Sequence, residues 1–488
     1  MVARQSQTYE QAVQRYVEQY NRQPPPGFQD WFTFAKANNA IIIDDYGQLE
    51  QDLAPLRKIP AHVLRQRMKN GRKTGMWELH QWDFKNGTVS TGAKHGTVNA
   101  FKGILQPFVH KLPDFSVLQN WDDNHRVCGP KPGEVEDVND TTVIEVGTSG
   151  DPDAMDHLTI GCPRNTETTS SVTSDRPSVD FCKHTHDWMN QHGIFRVHNG
   201  CFNSTVPVLS LTKISSFQDI TTASWCYGAD GYRLWGLNPS GKDSDHVAYR
   251  DKRARIYWRG SNTGSRRGKK PHYYGHRERL VMMGAQMQKK AAELAARYKG
   301  QSLPGTFTQD DVKRVELPEM PKTFTQLQLS ALSRLDPEAI DMNFVGLHGC
   351  QNDPERCAEW EKTFPLAAHQ DSSFAFRNKF LMDIDGNSMS CRFYRLLDSN
   401  SLVFKQTIYV EWHDDRIVPW LHYVPVSKGM EELPILLDYF TNDPTGQALG
   451  EMIANTSRDW SNSALRKIDL SVYTYRQMLE LAHIIGHD

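Results

Sequence analysis

The chain has 488 residues, 38% of them hydrophobic and 23% charged, with a formal net charge of −2. That length exceeds one ordinary core and fits two or three domains, and the near-neutral charge gives no whole-molecule bias toward nucleic acid or a membrane surface. No run approaches the roughly 18 consecutive apolar residues of a membrane span, and MVARQSQTYEQAVQRYVEQY at the start has no apolar signal core.

In chain order, the spacing predicts a helix over Tyr9 to Tyr20, a stop at Pro24, Pro25 and Pro26, and a helix-like run from Trp31 to Asn38. The amphipathic IIIDDYGQLEQDLAPL follows, and residues 1–60 read as an arm packed on the body. Phe115 to Leu118 reads as a strand that ends in the acidic NWDDNHR. PRNTETTSSVTSDRPS, residues 163–178, is polar and aperiodic and reads as a surface loop. Phe195 to Leu211 has strand character. The segment 219–239, with Trp225, Tyr227, Tyr232 and Trp235, is either a stacking wall or buried core. Ile256 to Trp258 is a strand before a basic loop. A long helix then stops at Gly300, and residues 301–323 read as a loop. Three strand-sized apolar runs, Phe380 to Ile384, Ser401 to Phe404 and Leu421 to Val426, each end in polar residues. Helices close the chain: Met430 to Phe440, one capped by Asp443 with Pro444 at its first position, and Tyr475 to Ile485. Strands alternating with helices indicate an α/β architecture.

Eight cysteines and four N-x-[ST] sequons, at Asn86, Asn139, Asn203 and Asn455, fit a luminal protein. Its signal or membrane anchor is expected to lie outside this chain. Cys350 and Cys357 flank a polar loop and either close it as a disulfide or remain buried thiols; C-x-x-C spacing, the mark of a structural zinc site, is absent.

Four constellations carry chemistry. Arg259-Gly260-Ser261-Asn262-Thr263-Gly264 is a turn of small residues after a strand, whose amides can form an anion nest. Arg266, Arg267, Lys269 and Lys270 add charge suited to a diphosphate, and the alternative is a solvated basic face or a nucleic-acid patch. Neither the G-x-x-x-x-G-K-[ST] nor the G-x-G-x-x-G spacing is present. Asp383 and Asp385 form a D-x-D at a strand end, a pattern that can hold a divalent ion on a diphosphate but is common by chance; a calcium loop is excluded because Tyr394 takes the position of the required Glu. Asp122 and Asp123, just after a strand, are candidates for a general base or members of a capped turn. His413, Asp414 and Asp415 with His422 are either a metal site or a surface turn.

Taken together, YWRGSNTG at Tyr257, FLMDIDGNSMSCRF at Phe380, SLVFKQ at Ser401 and EWHDDRIVPWLHYVPV at Glu411 resemble glycosyltransferase family 90, which includes fungal capsule-associated xylosyltransferases and animal protein O-glucosyltransferases. RQPPPGFQDWFTFAKANNAIIIDDYGQLEQDLAPL is similar to the fungal branch. The resemblance implies a GT-B fold: two Rossmann-like domains facing a cleft, acceptor half 61–215 and nucleotide-sugar half 216–445, with helices in 446–488 crossing back. It implies an inverting, metal-independent transferase without a cofactor, whose partners are UDP-xylose or UDP-glucose and a mannose-containing glycan, and no nucleic acid. Xylosyl transfer in the Golgi lumen by a type II membrane protein is the first expectation. Glucosyl transfer to protein or glycan is the second, and an inactive UDP- or glycan-binding scaffold is the alternative of another class. Carried over residue by residue, the family's base falls on Asp123, within Pro113-Asp114 to Asn120-x-x-Asp123, with Asp122 as the fallback because His125 stands where relatives often have proline. The donor site falls on Arg259, Gly260, Ser261, Gly264, Arg267 (or Arg266), Ser390 and Arg392, and Asp385 is expected to hydrogen-bond the donor.

Overall fold

The computed structural model describes residues 2–76, 78–94, 97–130, 134–147, 162, 182, 192, 200–227, 245–264, 275–313, 323–348, 350, 354–364 and 366–486. The loop expected at 163–178, the start of the strand expected at Phe195, Tyr232, Trp235 and the basic residues Arg266, Arg267, Lys269 and Lys270 lie outside these.

The first helix, Tyr9–Tyr20, has clear stop and start signals. Thr8 and Gln11 form a reciprocal capping box, and Asn21 ends the helix in the left-handed region. Helices Phe28–Ala37, Gly47–Leu53 and Ala61–Lys73 follow. A five-stranded sheet has the order β2-β1-β3-β6-β7, where β1 is Leu79–Lys85, β2 Thr88–Thr91, β3 Phe115–Asn120, β6 Val208–Ser210 and β7 Ile220–Thr221. β1 pairs antiparallel with both β2 and β3, whereas β3, β6 and β7 run parallel. This half is therefore mixed rather than uniformly parallel. The two-residue turn at Asn86-Gly87, both with positive φ, explains the hairpin. Short strands β4 (Glu145–Val146) and β5 (Cys201–Phe202) form a separate ribbon.

The second five-stranded sheet is parallel throughout, in the order β12-β11-β10-β8-β9, with β8 Arg253–Ser261, β9 Ile340–Gly346, β10 Asn378–Ile384, β11 Leu402–Gln406 and β12 Val424–Pro425. Near-continuous burial of β10 and β11 is what a parallel sheet covered on both faces requires. The run from Leu421 contracts to two strand residues because Val418, Pro419 and Trp420 turn the chain just before it. The long helix runs from His276 to Arg297, three residues short of Gly300. Helices Leu433–Asn442 and Pro444–Ala464 follow, the latter capped by Asp443.

The last helix, Lys467–Ile485, packs against Phe28–Ala37, Ala61–Lys73, Val98–Leu105 and β3. Its buried side chains join the core of the first sheet. Between it and the arm lies a charged aromatic layer. Arg476 sits over the rings of Tyr16, Phe28, Trp31 and Tyr46 and pairs with fully buried Glu480, which also binds Arg57 at 2.7 Å and accepts from Tyr16. All eight cysteines are paired: Cys128–Cys201, Cys162–Cys182, Cys226–Cys391 and Cys350–Cys357. Trp225 and Tyr227 are buried core, not an open stacking wall. In the turn read as a metal site or a surface turn, His413 and His422 are at most 3% exposed, whereas Asp414 and Asp415 are half-buried.

Of the sequon asparagines, Asn86 and Asn139 are exposed, Asn203 is half-buried and its side chain accepts from the Ile144 amide, and Asn455 lies inside the helix Pro444–Ala464. Glu480→Gln leaves Arg476 and Arg57 facing a neutral amide in a buried site. Breaking such a group costs roughly 3 kcal/mol, and urea denaturation of the variant should show a midpoint shift of that order.

Candidate functional site

A cavity of about 240 Å³ lies over the carboxyl-terminal parts of β8, β9 and β10. Its lining includes Tyr257, Arg259, Gln370, Arg392 and Arg395. Positions of this kind, at the ends of parallel strands, are where open α/β sheets place ligands. Arg259 stacks over Tyr257, 4.7 Å from the ring centre, and its Nη2 pairs with Asp341 at 2.6 Å. Arg392 donates to the Arg259 carbonyl at 2.6 Å and lies over Trp258. Burial, opposed mainly by the charge of Asp383, draws the Arg392 guanidinium below its ordinary range. Gly260 is needed here: a Cβ would lie 2.7 Å from the Trp258 ring and 3.3 Å from Arg392. Arg259, Gly260 and Arg392 thus converge, and Ser261 follows at the end of β8.

The turn after β8 is pinned to the turn after β10. Gly264, with φ of +87°, comes so close to the Gly386 carbonyl that a Cβ would stand 2.3 Å away. Its amide donates to Asn387 Oδ1 at 2.8 Å. Arg277, at the start of the long helix and 5% exposed, donates to the carbonyls of Ser261, Ile384 and Asp385 and to Thr263 Oγ1. Burial and the nearby Arg392 charge lower its pKa to about 9. Sequence reasoning counted this residue as part of a basic loop, and its position one residue inside a helix start was the missed signal. His369, Gln370 and Arg395 were also missed. Gln370 accepts from the Tyr257 hydroxyl at 2.8 Å.

Both aspartates of the D-x-D are internal. Asp383 accepts from Ser390 Oγ and from Lys405 Nζ at 3.0 Å. Asp385 is fully buried, accepts from the Ile408 amide and has its pKa raised by burial. Neither Ser390 nor Asp385 is among the residues that line the cavity; both lie buried behind the β10 turn. Among the described residues no cluster of three or more His, Cys, Asp or Glu side chains could hold a metal ion.

Beneath Arg392 lies a polar layer. Burial raises the Glu411 carboxyl to about 8; it accepts from the Tyr227 hydroxyl and has Lys405 3.9 Å away. Burial also acts to lower Lys405, but the charges of Asp383 and Glu411 outweigh it, so the ammonium is held above its usual range. The Cys226–Cys391 disulfide joins the Tyr227 segment to the residue before Arg392.

Asp123 approaches this region from the other half. Its turn is built by Asn120, whose side-chain amide donates to the Asn124 carbonyl at 2.6 Å and to Ser210. Asp122 is consumed within the turn, pairing with buried Arg126 at 2.6 Å and accepting from the Asp123 amide. Asp123 instead accepts from Asn387 Nδ2 and Ser388 Oγ, each at 3.0 Å, across the boundary between the two sheets. His125, in place of a proline, packs edge-on against Phe217.

Residues 320–485 match the model of glycosyl transferase family 90. The chain is 22% identical to protein O-glucosyltransferase 1 of Rattus norvegicus over 286 residues, 58% of this chain and 59% of that protein. It is 28% identical to O-glucosyltransferase rumi of Drosophila melanogaster over 159 residues, 31% of this chain and 36% of that protein. Over 109 residues it is 30% identical to protein O-glucosyltransferase 3 of Homo sapiens, 22% of this chain and 20% of that protein. The chain thus spans less than two thirds of the length of these relatives. The matched stretch 320–485 holds β9 to β12 and Arg392 of the cavity, and over that stretch the chain is similar to glycosyl transferase family 90.

Because the Glu411 carboxyl is raised from 4.5 to about 8, its neutral form favours the fold. That contribution is complete below the unfolded pKa of about 4.3 and is lost as pH rises through the folded value. Melting temperature measured from pH 5 to pH 8.5 should fall more steeply for the native chain than for Glu411→Gln.

Proposed function

We propose that this protein is an inverting, metal-independent glycosyltransferase that moves a sugar from a UDP-sugar to an acceptor hydroxyl. The observation that carries the reading is the pair Arg259 and Arg392, converging beside Tyr257 and Trp258 in one cavity at the ends of parallel strands. The family 90 match over 320–485 supports it. A nucleotide sugar already has a good leaving group, so one carboxylate suffices. Asp123 takes the proton of the acceptor hydroxyl as that oxygen attacks the anomeric carbon from the face opposite UDP. Arg392 and Arg259 receive the negative charge that develops on the diphosphate, and the Gly260–Gly264 turn lets backbone amides approach it. Arg267 joins this set by resemblance. Asp383 is neutralised by Lys405 and Asp385 is enclosed, so this reading assigns neither to a cation.

The two sheets are assigned to the acceptor and donor halves of a GT-B enzyme, with Lys467–Ile485 crossing back. By resemblance to the fungal branch the donor is UDP-xylose and the acceptor a mannose-containing glycan. The names of the relatives favour glucose from UDP-glucose as a second reading. Four disulfides and two exposed sequons favour an oxidising secretory compartment, with the Golgi lumen and a membrane anchor outside this chain as the particular assignment.

UDP release from a panel of UDP-sugars, with and without mannosides, identifies the donor; no release from any donor by UDP-binding protein would overturn the transferase reading in favour of a scaffold. Asp123→Asn should retain UDP affinity and lose on the order of 10²–10⁴ in turnover. Arg392→Ala should lose on the order of 10². Activity should persist in EDTA; full loss with recovery on adding manganese would show a metal requirement.

A further inference from the structure

We propose that Asn387 and Ser388 are positioning residues that hold the base Asp123 and tie its orientation to the donor-side turn. This rests on the assignment of Asp123 as base. The two residues lie in the turn after β10, just past Asp385 and Gly386, and both carboxylate oxygens of Asp123 are met by them: Asn387 Nδ2 at Oδ2 and Ser388 Oγ at Oδ1, each 3.0 Å. Donors from two consecutive residues fix the plane of the carboxylate as well as its position.

Asn387 has a second attachment. Its Oδ1 accepts from the Gly264 amide at 2.8 Å. The orientation of the side-chain amide is therefore determined by its partners, since a flipped group would set its NH2 against an N–H and its oxygen against a carboxylate. One side chain thus joins the small-residue turn after β8 to the carboxylate of the other half. The turn bearing Asn387 is itself rigid: Tyr409 donates to the Asn387 carbonyl at 2.8 Å, Gly386 N donates to the Ser388 carbonyl, and Arg277 binds the carbonyl of Asp385. Four residues further on, the same segment carries Arg392. A diphosphate settled on Arg392 and the Gly260–Gly264 turn would hold the atoms that aim Asp123, so donor occupancy and base alignment become one event.

Both donated hydrogen bonds favour the ionised carboxylate, so removing either raises the pH at which the base becomes available. The other titratable or charged groups nearby are Asp122 with its partner Arg126 and His125 on the same turn. Across the boundary they are Tyr409, Asp385, His192, His276 and Arg277. None of these is altered by the substitutions below.

The experiment uses the intact chain and whichever of UDP-xylose or UDP-glucose the native protein turns over. Asn387→Ala and Ser388→Ala are each expected to lower kcat about tenfold or more, with donor KM and the Kd for UDP within about threefold. The acid limb of the kcat/KM profile is expected to move to higher pH, and Ser388→Thr, which keeps the hydroxyl, to restore both. In an Asp123→Asn background, Asn387→Ala is expected to cost little further turnover. An unmoved acid limb, a loss confined to KM, or fully multiplicative losses would overturn the proposal. A double-mutant cycle of melting temperature over Asp123 and Asn387 reads the contact without turnover. Additive shifts there overturn the positioning role, whereas a coupled pair in a native protein that binds UDP but transfers nothing supports the contact and sinks the transferase reading.

Discussion

The site depends on a buried guanidinium. Arg277 enters the protein at the first turn of a helix and gives its donors to three carbonyls and a hydroxyl at the ends of β8 and β10. Those carbonyls lie at, or one residue past, the ends of the two strands, where a buried carbonyl would be costly to leave unpaired. By satisfying them, Arg277 lets two turns pack face to face in the dry interior. The near contact of Gly264 with Gly386 follows from this. A lysine could not span four acceptors from one planar group.

Beneath this layer the charges are arranged in alternating sign. Arg392 faces the cavity, Asp383 lies behind it, then Lys405, then Glu411, whose burial keeps a proton near neutrality. Such a stack leaves the outermost group cationic while each inner charge has a partner. Asp383 and Asp385 thus both have structural work inside this layer.

Much of this was legible in the sequence, for reasons that differ by element. Tyr9–Tyr20 was readable to the residue because a capping box and an asparagine stop are local signals. β10 and β11 were readable as short, wholly apolar runs. The turn of small residues after β8 was readable because glycine chemistry is local, and Asp123 because the resemblance aligned it. Other features were not. The burial of His413 and His422 was not legible because polar residues in a turn read as solvated, and the partners of their neighbours Glu411 and Arg416, Tyr227 and Tyr46, lie far away in the chain. The inward aim of Asp385 depends on which side of β10 meets the covering layer, a tertiary fact. Asn387 and Ser388 carried no motif at all, since their partner is 264 and 265 positions distant.

The last helix has a bearing on how the molecule is made. The arm's Trp31, Tyr46 and Phe28 find their cover in Val472, Tyr473 and Arg476. A ribosome delivers residues 467–485 long after the arm, so throughout that interval the apolar face of the arm lacks the helix it lies against. The parallel sheet, whose strands are all delivered by residue 425, can assemble before that moment; the first half cannot complete its core until the chain's final helix arrives. During that interval the arm is a natural client for chaperones of the compartment in which translation is taking place.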